Sequence, residues 1–261
     1  PFFINQPFPM KEKHLFYADS TSIAQGVLSE EESRHALKAL RVKPGEIIWF
    51  TDGNGTFHEA RVTETDKRNC WFQTERTLPD TPRWKGRIRI AVAPTKNADR
   101  TEWLLEKATE IGVDEFILLK CAHAERKSVN RERLERIAIS TMKQSYKASK
   151  PVITEMTAFD DFLQMLAPDT QRLIAHCHEA DDKDPDSFDL TPAASVFLGD
   201  IVEPDADTVV AIGPEGDFSP EEVEKALKNG FRAVSLGESR LRTETAALVA
   251  VHTMSLIKRR H

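Results

Sequence analysis

The sequence predicts an α/β protein, in which a mostly parallel sheet covered by helices on both faces follows a small β-barrel. Three observations predict it. After Lys85, short apolar runs alternate with segments of helical period, the pattern of strands buried on both faces. Before Thr77, short strand-like runs are joined by tight glycine turns, as in small barrels. The chain has 261 residues, 40% hydrophobic and 30% charged, which suits one large or two ordinary globular domains with a substantial core.

In chain order, Ser29 and Glu32 read as a capping box opening a short helix that carries Ala36, Leu37 and Leu40 on one face. Pro44-Gly45, the apolar run Ile47–Phe50 and the turn Asp52-Gly53-Asn54-Gly55 come next, then strand-like runs at Phe57–Val62 and Cys70–Thr74. Thr77–Trp84 holds two prolines and has no period, so it reads as a linker. The expected division is therefore 1–76 barrel, 77–84 linker and 85–261 α/β domain. In that second part, Ile88–Ala93, Phe116–Leu119, Leu173–Ala175, Val209–Ile212 and Ala233–Leu236 are short enough to be buried strands. Trp103, Leu104, Ala108 and Ile111 share one helix face that Gly112 terminates, and Leu134, Ile137, Ala138, Thr141 and Met142 form another stripe.

Composition and charge exclude several classes. No apolar run approaches the roughly 20 residues of a membrane-spanning helix, and no secretory leader is visible. The three cysteines (Cys70, Cys121, Cys177) are odd in number and far apart, which fits a reducing cytoplasm rather than a disulfide framework. A net charge of −6 argues against indiscriminate coating of nucleic acid, but the charge is uneven. Glu155–Asp207 holds 14 acidic and 2 basic residues, whereas Ala122–Lys150 holds eight Lys/Arg against three Glu. Concentrated basic surface is what a polyanion contact needs. Charge by itself favours the plainer reading, in which Arg131, Arg133, Arg136, Lys143 and Lys147 line the wet face of a helix.

In a parallel sheet, ligands sit in loops beyond the carboxyl ends of strands, so chemistry is sought there. After the strand TVVAI comes IGPEGDF, with Ser219, Pro220 and Glu222 set to cap the next helix. Gly213 and Gly216 permit close backbone approaches that expose N–H and C=O groups, well suited to a purine edge. Alone, this tetrapeptide is a weak signal, and a structural turn is its default reading. After AVSLG, the run Arg240, Arg242, Thr243, Glu244 and Thr245 heads an apolar helix, Ala246–Ile257. It reads either as a cap by Thr243 or Thr245 with a surface Arg–Glu pair, or as a polar pocket where strand meets helix. His176, Cys177 and His178 invite a zinc reading, but neighbours on an extended segment point to opposite faces and no second Cys/His group supports a metal. A phosphate-binding P-loop, a dinucleotide fingerprint and a nucleophile elbow are all missing from the sequence.

GPEGDFSPEE, followed about twenty residues on by LGESRLRTETA, resembles the paired C-terminal motifs of the bacterial small-subunit ribosomal RNA uridine-N3 methyltransferases, of the SPOUT class. HLFYAD, HALKALRVKPGE and DGNGTFHEARV resemble that family's N-terminal barrel, and PTKNADRTEWLLEKATEIGV and MKQSYKASKPVI its middle section. The resemblance implies a SPOUT-type C-terminal domain with a deep trefoil knot, one of the rare true knots, and a PUA-like RNA-binding barrel. It implies S-adenosyl-L-methionine as cofactor, a homodimer, a cytoplasmic setting, no metal, and small-subunit ribosomal RNA or the assembled subunit as partner. The cofactor-binding residues so implied are His176, Ile212, Gly213, Pro214, Glu215, Gly216, Leu236, Gly237, Ser239, Leu241 and Thr245. Arg242 would stabilise the anion that develops on the uracil, with Glu244 orienting it. RNA contact would fall to Arg34, Lys38, Arg41, Arg126, Lys127, Arg131, Lys143 and Lys147, and the acidic segment would face away. Asp217 stands where that family often has glycine, and LGESRLR departs from its commoner LG-x-R-I-L-R. Two other readings remain at this point: a SPOUT enzyme with another RNA target, and a non-catalytic RNA-binding assembly factor.

Overall fold

The computed structural model describes residues 14–176 and 196–259. The chain forms two compact units. One runs up to Thr81 and takes in Ile139–Lys150; the other comprises Pro82–Ala138 and the residues from Pro151 on. Cys177, His178 and much of the acidic stretch lie outside the described residues.

The first unit carries β1 (Leu15–Tyr17), α1 (Ser20–Gln25), α2 (Glu30–Arg34), β2 (Ile47–Thr51), β3 (Thr56–Thr65) and β4 (Cys70–Pro79). The sheet order is β1-β2-β3-β4, parallel between β1 and β2 and antiparallel thereafter. The β2–β3 turn forms as the sequence predicts: Gly53 and Gly55 take positive φ, and Asp52 Oδ1 accepts from the amides of Asn54 and Thr56. Two expectations are corrected. Ser29 caps α2, but Glu32 does not complete the box, because its carboxylate pairs with Lys143 instead. The helix then widens into a π turn over His35–Ala39. Likewise β4 continues through Thr77, Leu78 and Pro79, pairing with β3. Proline is tolerated there because it ends the strand.

The segment Ile139–Lys150 belongs with this unit through specific bonds. Ala148 O accepts from Thr51 Oγ1 at 2.7 Å and from Gly55 N at 3.1 Å, and Lys150 N donates to Gly53 O.

The second unit holds β5 (Ile88–Val92), α3 (Ala98–Ile111), β6 (Glu115–Lys120), the start of α4 (Arg131–Gln144), β7 (Val152–Ile153), β8 (Thr157–Ala158), α5 (Phe159–Met165), β9 (Gln171–Ala175), β10 (Val196–Phe197), α6 (Leu198–Ile201), β11 (Thr208–Ile212), α7 (Pro220–Lys228), β12 (Arg232–Ser235) and α8 (Thr243–Lys258). The sheet order is β10-β12-β9-β11-β5-β6-β7, with β8 also on β6 and all pairings parallel. Alternate residues of each strand feed opposite cores. Ile88, Ile90, Val92, Phe116, Leu118, Val210 and Ile212 pack with α3 and α8, while Ala91, Ile117, Leu119, Val209 and Ala211 pack with α5 and α7. Burial of both faces explains why these strands read as unbroken apolar runs.

Gly112 ends α3 at positive φ, as predicted. Trp103 is a correction: at 43% exposed it lies off the buried face, which runs through Thr101, Leu104, Leu105 and Ala108. Among the described residues no helix is long and apolar enough to cross a membrane.

Candidate functional site

Because every strand of the large sheet runs the same way, the loops after β5, β6, β9, β11 and β12 emerge at one edge. Strands β12, β9 and β11 are adjacent, with Ala175 level with Ile212 and Ile174 level with Ala233. The three segments singled out in the sequence therefore share one rim: His176 after β9, Gly213–Asp217 after β11, and Leu236–Arg242 after β12. β11 enters between β5 and β9, so the strand order reverses beside it, where open α/β sheets form ligand crevices.

A direct bond joins the two motif loops: Thr243 Oγ1 donates to Gly213 O at 3.1 Å, with both residues buried. Thr243 is therefore a tether between loops, and not a helix cap. The N-cap of α8 is Arg242, which is exposed and makes no capping bond through its side chain. A Cβ on Gly213 would come within 2.9 Å of Phe218 N and 3.1 Å of the Asp217 carbonyl carbon, so the loop folds this tightly only around glycine. Asp217 occupies the left-handed region at φ 63°, and its Oδ1 accepts from Phe218 N at 2.8 Å. That local bond lets an aspartate stand where glycine is the easier residue. Beyond it, Ser219 and Glu222 form the expected capping box, and Glu222 also accepts from Ala122 N. In the third loop Gly237 takes positive φ, Ser235 Oγ bonds the Gly237 carbonyl and amide, and Ser239 is exposed, while Leu236, Leu241 and Thr245 are half-buried.

Neighbouring loops brace this rim. Glu215 Oε1 accepts from Lys96 N at 3.0 Å, linking the β11 loop to the β5 loop. His123, after β6, sets Nδ1 3.1 Å and 3.2 Å from the carbonyls of Gly216 and Asp217. Arg126 donates to the carbonyls of Thr95 and Lys96, at 3.0 Å and 2.7 Å. Sequence reasoning did not single out Thr95 and His123, which bond the loops of this rim, although the strand end AVAPT before the Asn97 cap was a usable signal.

Several sequence expectations are corrected. Glu244 does not face Arg242: its Oε1 lies 3.7 Å from Arg100 Nε, in the first turn of α3. Positions two apart on a helix point about 200° away from each other, so the exposed N-cap and the buried carboxylate diverge. Of the basic residues expected on RNA, Lys143 is tied to Glu32, Lys147 is only 7% exposed, and the Arg126 fork is engaged by backbone carbonyls. A side chain held in these ways braces the fold. Arg34 pairs with Glu30, and Arg131 with Glu155 and Glu135, at exposed positions; Lys38, Arg41 and Lys127 are exposed. Among the described residues no group of His, Cys, Asp and Glu could hold a metal ion. Burial beside Glu222 pushes the Cys121 thiol far up, so it is no thiolate nucleophile.

Known proteins match most of the chain. Residues 82–255 match the model of an RNA methyltransferase domain, and residues 28–75 that of an RNA methyltransferase PUA domain. The ribosomal RNA small subunit methyltransferase E of Bacillus subtilis (strain 168) is 26% identical over 241 residues, covering 87% of this chain and 88% of that protein. Among solved structures, a protein described as a "probable rRNA-methyltransferase" from Porphyromonas gingivalis is 43% identical at a TM-score of 0.83, covering 93% of this chain and 98% of that one. The ribosomal RNA small subunit methyltransferase E of Neisseria gonorrhoeae, solved bound to S-adenosyl methionine, is 27% identical at a TM-score of 0.78, covering 94% and 98%.

Proposed function

The chain belongs to the RNA methyltransferase family, and from that premise we propose that it transfers a methyl group from S-adenosyl-L-methionine to small-subunit ribosomal RNA, at N3 of a uridine. The observation that carries the reading is the Thr243–Gly213 bond, which holds the two motif loops together at the rim beside the end of β9. The loops fit an adenosine-bearing cofactor. Gly213 lets the β11 loop fold tightly where a Cβ has no room, and three adjacent strand ends, with His176 among them, bring their loops to the same rim.

Bound there, S-adenosyl-L-methionine supplies an activated methyl group on a sulfonium. The work of this chain's residues is positioning and electrostatics. Residues Ile212–Gly216, Leu236, Gly237, Ser239, Leu241 and Thr245 bind the cofactor. Arg242, exposed at the head of α8, offers its guanidinium to a uracil oxygen as N3 loses its proton. The uridine reaches this rim unpaired or flipped out of its helix. Lys38, Arg41 and Lys127, with Arg34 and Arg131, contact phosphates.

The reading includes the deep trefoil knot, supported by the insertion of β11 between the earlier β5 and β9. It includes closure of the N-terminal sheet, β1 to β4, into a PUA-like barrel, supported by the match over residues 28–75. It also includes a cytoplasmic setting and a homodimer, the latter supported by Trp103 and Leu256, large apolar side chains left exposed on helices α3 and α8.

The test is to incubate the protein with labelled S-adenosyl-L-methionine and small ribosomal subunits lacking the modification, then to identify the labelled nucleoside by mass spectrometry. Recovery of 3-methyluridine is expected. A different methylated nucleoside would move the target, and cofactor binding without transfer would favour an RNA-binding assembly factor.

A further inference from the structure

Glu244 is a carboxylate in an unusual position. The residue is buried, and among the described residues its Oε2 has no hydrogen-bond partner. Its one ion pair among the described residues is loose, at 3.7 Å from the Nε of Arg100. Burying a charge with so little compensation lowers stability, and an apolar residue of similar size would serve the fold as well or better. Arg100 is the complementary case. Its side chain is 41% exposed, and no hydrogen bond among the described residues holds its terminal nitrogens. The pair joins the first turn of α3 to the first turn of α8, two residues from Arg242 and one from the Thr243 tether. A carboxylate behind Nε fixes the plane of a guanidinium and leaves the outer fork facing away from it.

The chemistry has a place for such a fork. In uracil, N3 lies between two carbonyls, so the charge left when its proton departs spreads over both O2 and O4. One arginine can meet only one of them. Resting on the uridine-N3 reading above, we infer that Arg100 is a second catalytic residue, binding the uracil oxygen that Arg242 does not, and that Glu244 is the positioning residue that aims it. The step balances simply. The N3–H bond breaks and its proton passes to solvent; the electron pair on N3 forms the N–CH3 bond; the S–CH3 bond breaks with its pair on sulfur, and neutral S-adenosylhomocysteine leaves. Both arginines stay protonated throughout and hold the charge on the oxygens, and the loose ion pair shortens when substrate is bound.

The experiment compares wild type with Arg100→Ala, Arg100→Lys and Glu244→Gln, measuring kcat against pH on small subunits, cofactor affinity by calorimetry, and melting temperature. Wild-type protein comes first: without 3-methyluridine the uridine reading fails, and the inference falls with it. Given 3-methyluridine, both Arg100 variants should lose about 100-fold in kcat at neutral pH, with cofactor affinity unchanged. Their rate should recover at alkaline pH, where N3 ionises without help. Glu244→Gln should show the same alkaline displacement, smaller, with a melting temperature no lower than wild type. A brace that served only the fold would lower melting and leave the pH profile in place. Wild-type kcat and an undisplaced profile in Arg100→Lys and Glu244→Gln would overturn the inference, and they decide it if Arg100→Ala does not fold.

Discussion

Asp217 illustrates how one residue can carry a backbone shape that its type disfavours. Its φ of 63° is held by the bond from Phe218 N to its own carboxylate. Asp217→Ala keeps the strain and loses the bond, so chemical denaturation should show a loss of about 1–2 kcal/mol. Asp217→Gly loses the bond but also the strain, and should melt close to wild type. His58 sets a second residue-scale expectation. Its ring stacks on Phe50 at 4.6 Å and lies 3.2 Å from Thr77 Oγ1, and burial holds its pKa below the ordinary 6.5 despite the opposing pull of Asp52. On acidification the unfolded chain takes up this proton first, so the stabilisation is complete above about pH 6.5 and is lost as pH falls through the lowered folded value. Thermal melts between pH 7.5 and 5 should show this decline, and His58→Gln should flatten it.

Among elements, the long strands and helices were legible because burial on two faces, or on one stripe, leaves a period in the sequence. The strands β1, β7, β8 and β10, of two or three residues, were not, since so few positions hold no period. The end of β4 was missed because its prolines resemble a linker until pairing with β3 is known. Helix α8 shows a device that sequence alone does not reveal. Its last buried residue, Lys258, sends its ammonium to the carbonyls of Glu203, Pro204 and Ala206. Burial lowers the pKa of Lys258, and nearby Asp207 opposes this. Lys258→Met should leave those carbonyls without a donor and cost about 2 kcal/mol in denaturant unfolding. Unchanged stability would show that water replaces the ammonium at no cost.

For the molecule as a whole, the net charge of −6 means that RNA affinity must come from local basic clusters, and solvation decides which residues belong to them. The family resemblance put Lys143, Lys147 and Arg126 in the contact, but their ammonium and guanidinium groups are used or enclosed inside the fold. Binding to small-subunit RNA should weaken steeply with salt. Replacing Lys38, Arg41 and Lys127 together by alanine should reduce the log–log slope by about two to three, as measured by fluorescence anisotropy. Equal replacement of Lys143 and Lys147 should instead lower stability, with the slope little changed.

What the sequence determined by itself is what local physics dictates: the buried strands, the capping box at Ser219, the glycine turn after β2, and the loops in which chemistry had to lie. The GPEG and RTET segments were legible as loops at strand ends, and the family resemblance is what implied a site there. What only the tertiary structure decided is which distant groups meet: β11 between β5 and β9, Thr243 on Gly213, Lys143 on Glu32, and Glu244 on Arg100 rather than Arg242. Caps and turns depend on neighbours a few residues apart, so composition and spacing specify them. The partner of a buried charge is set by strand order and helix packing, which many residues determine together and no single motif encodes.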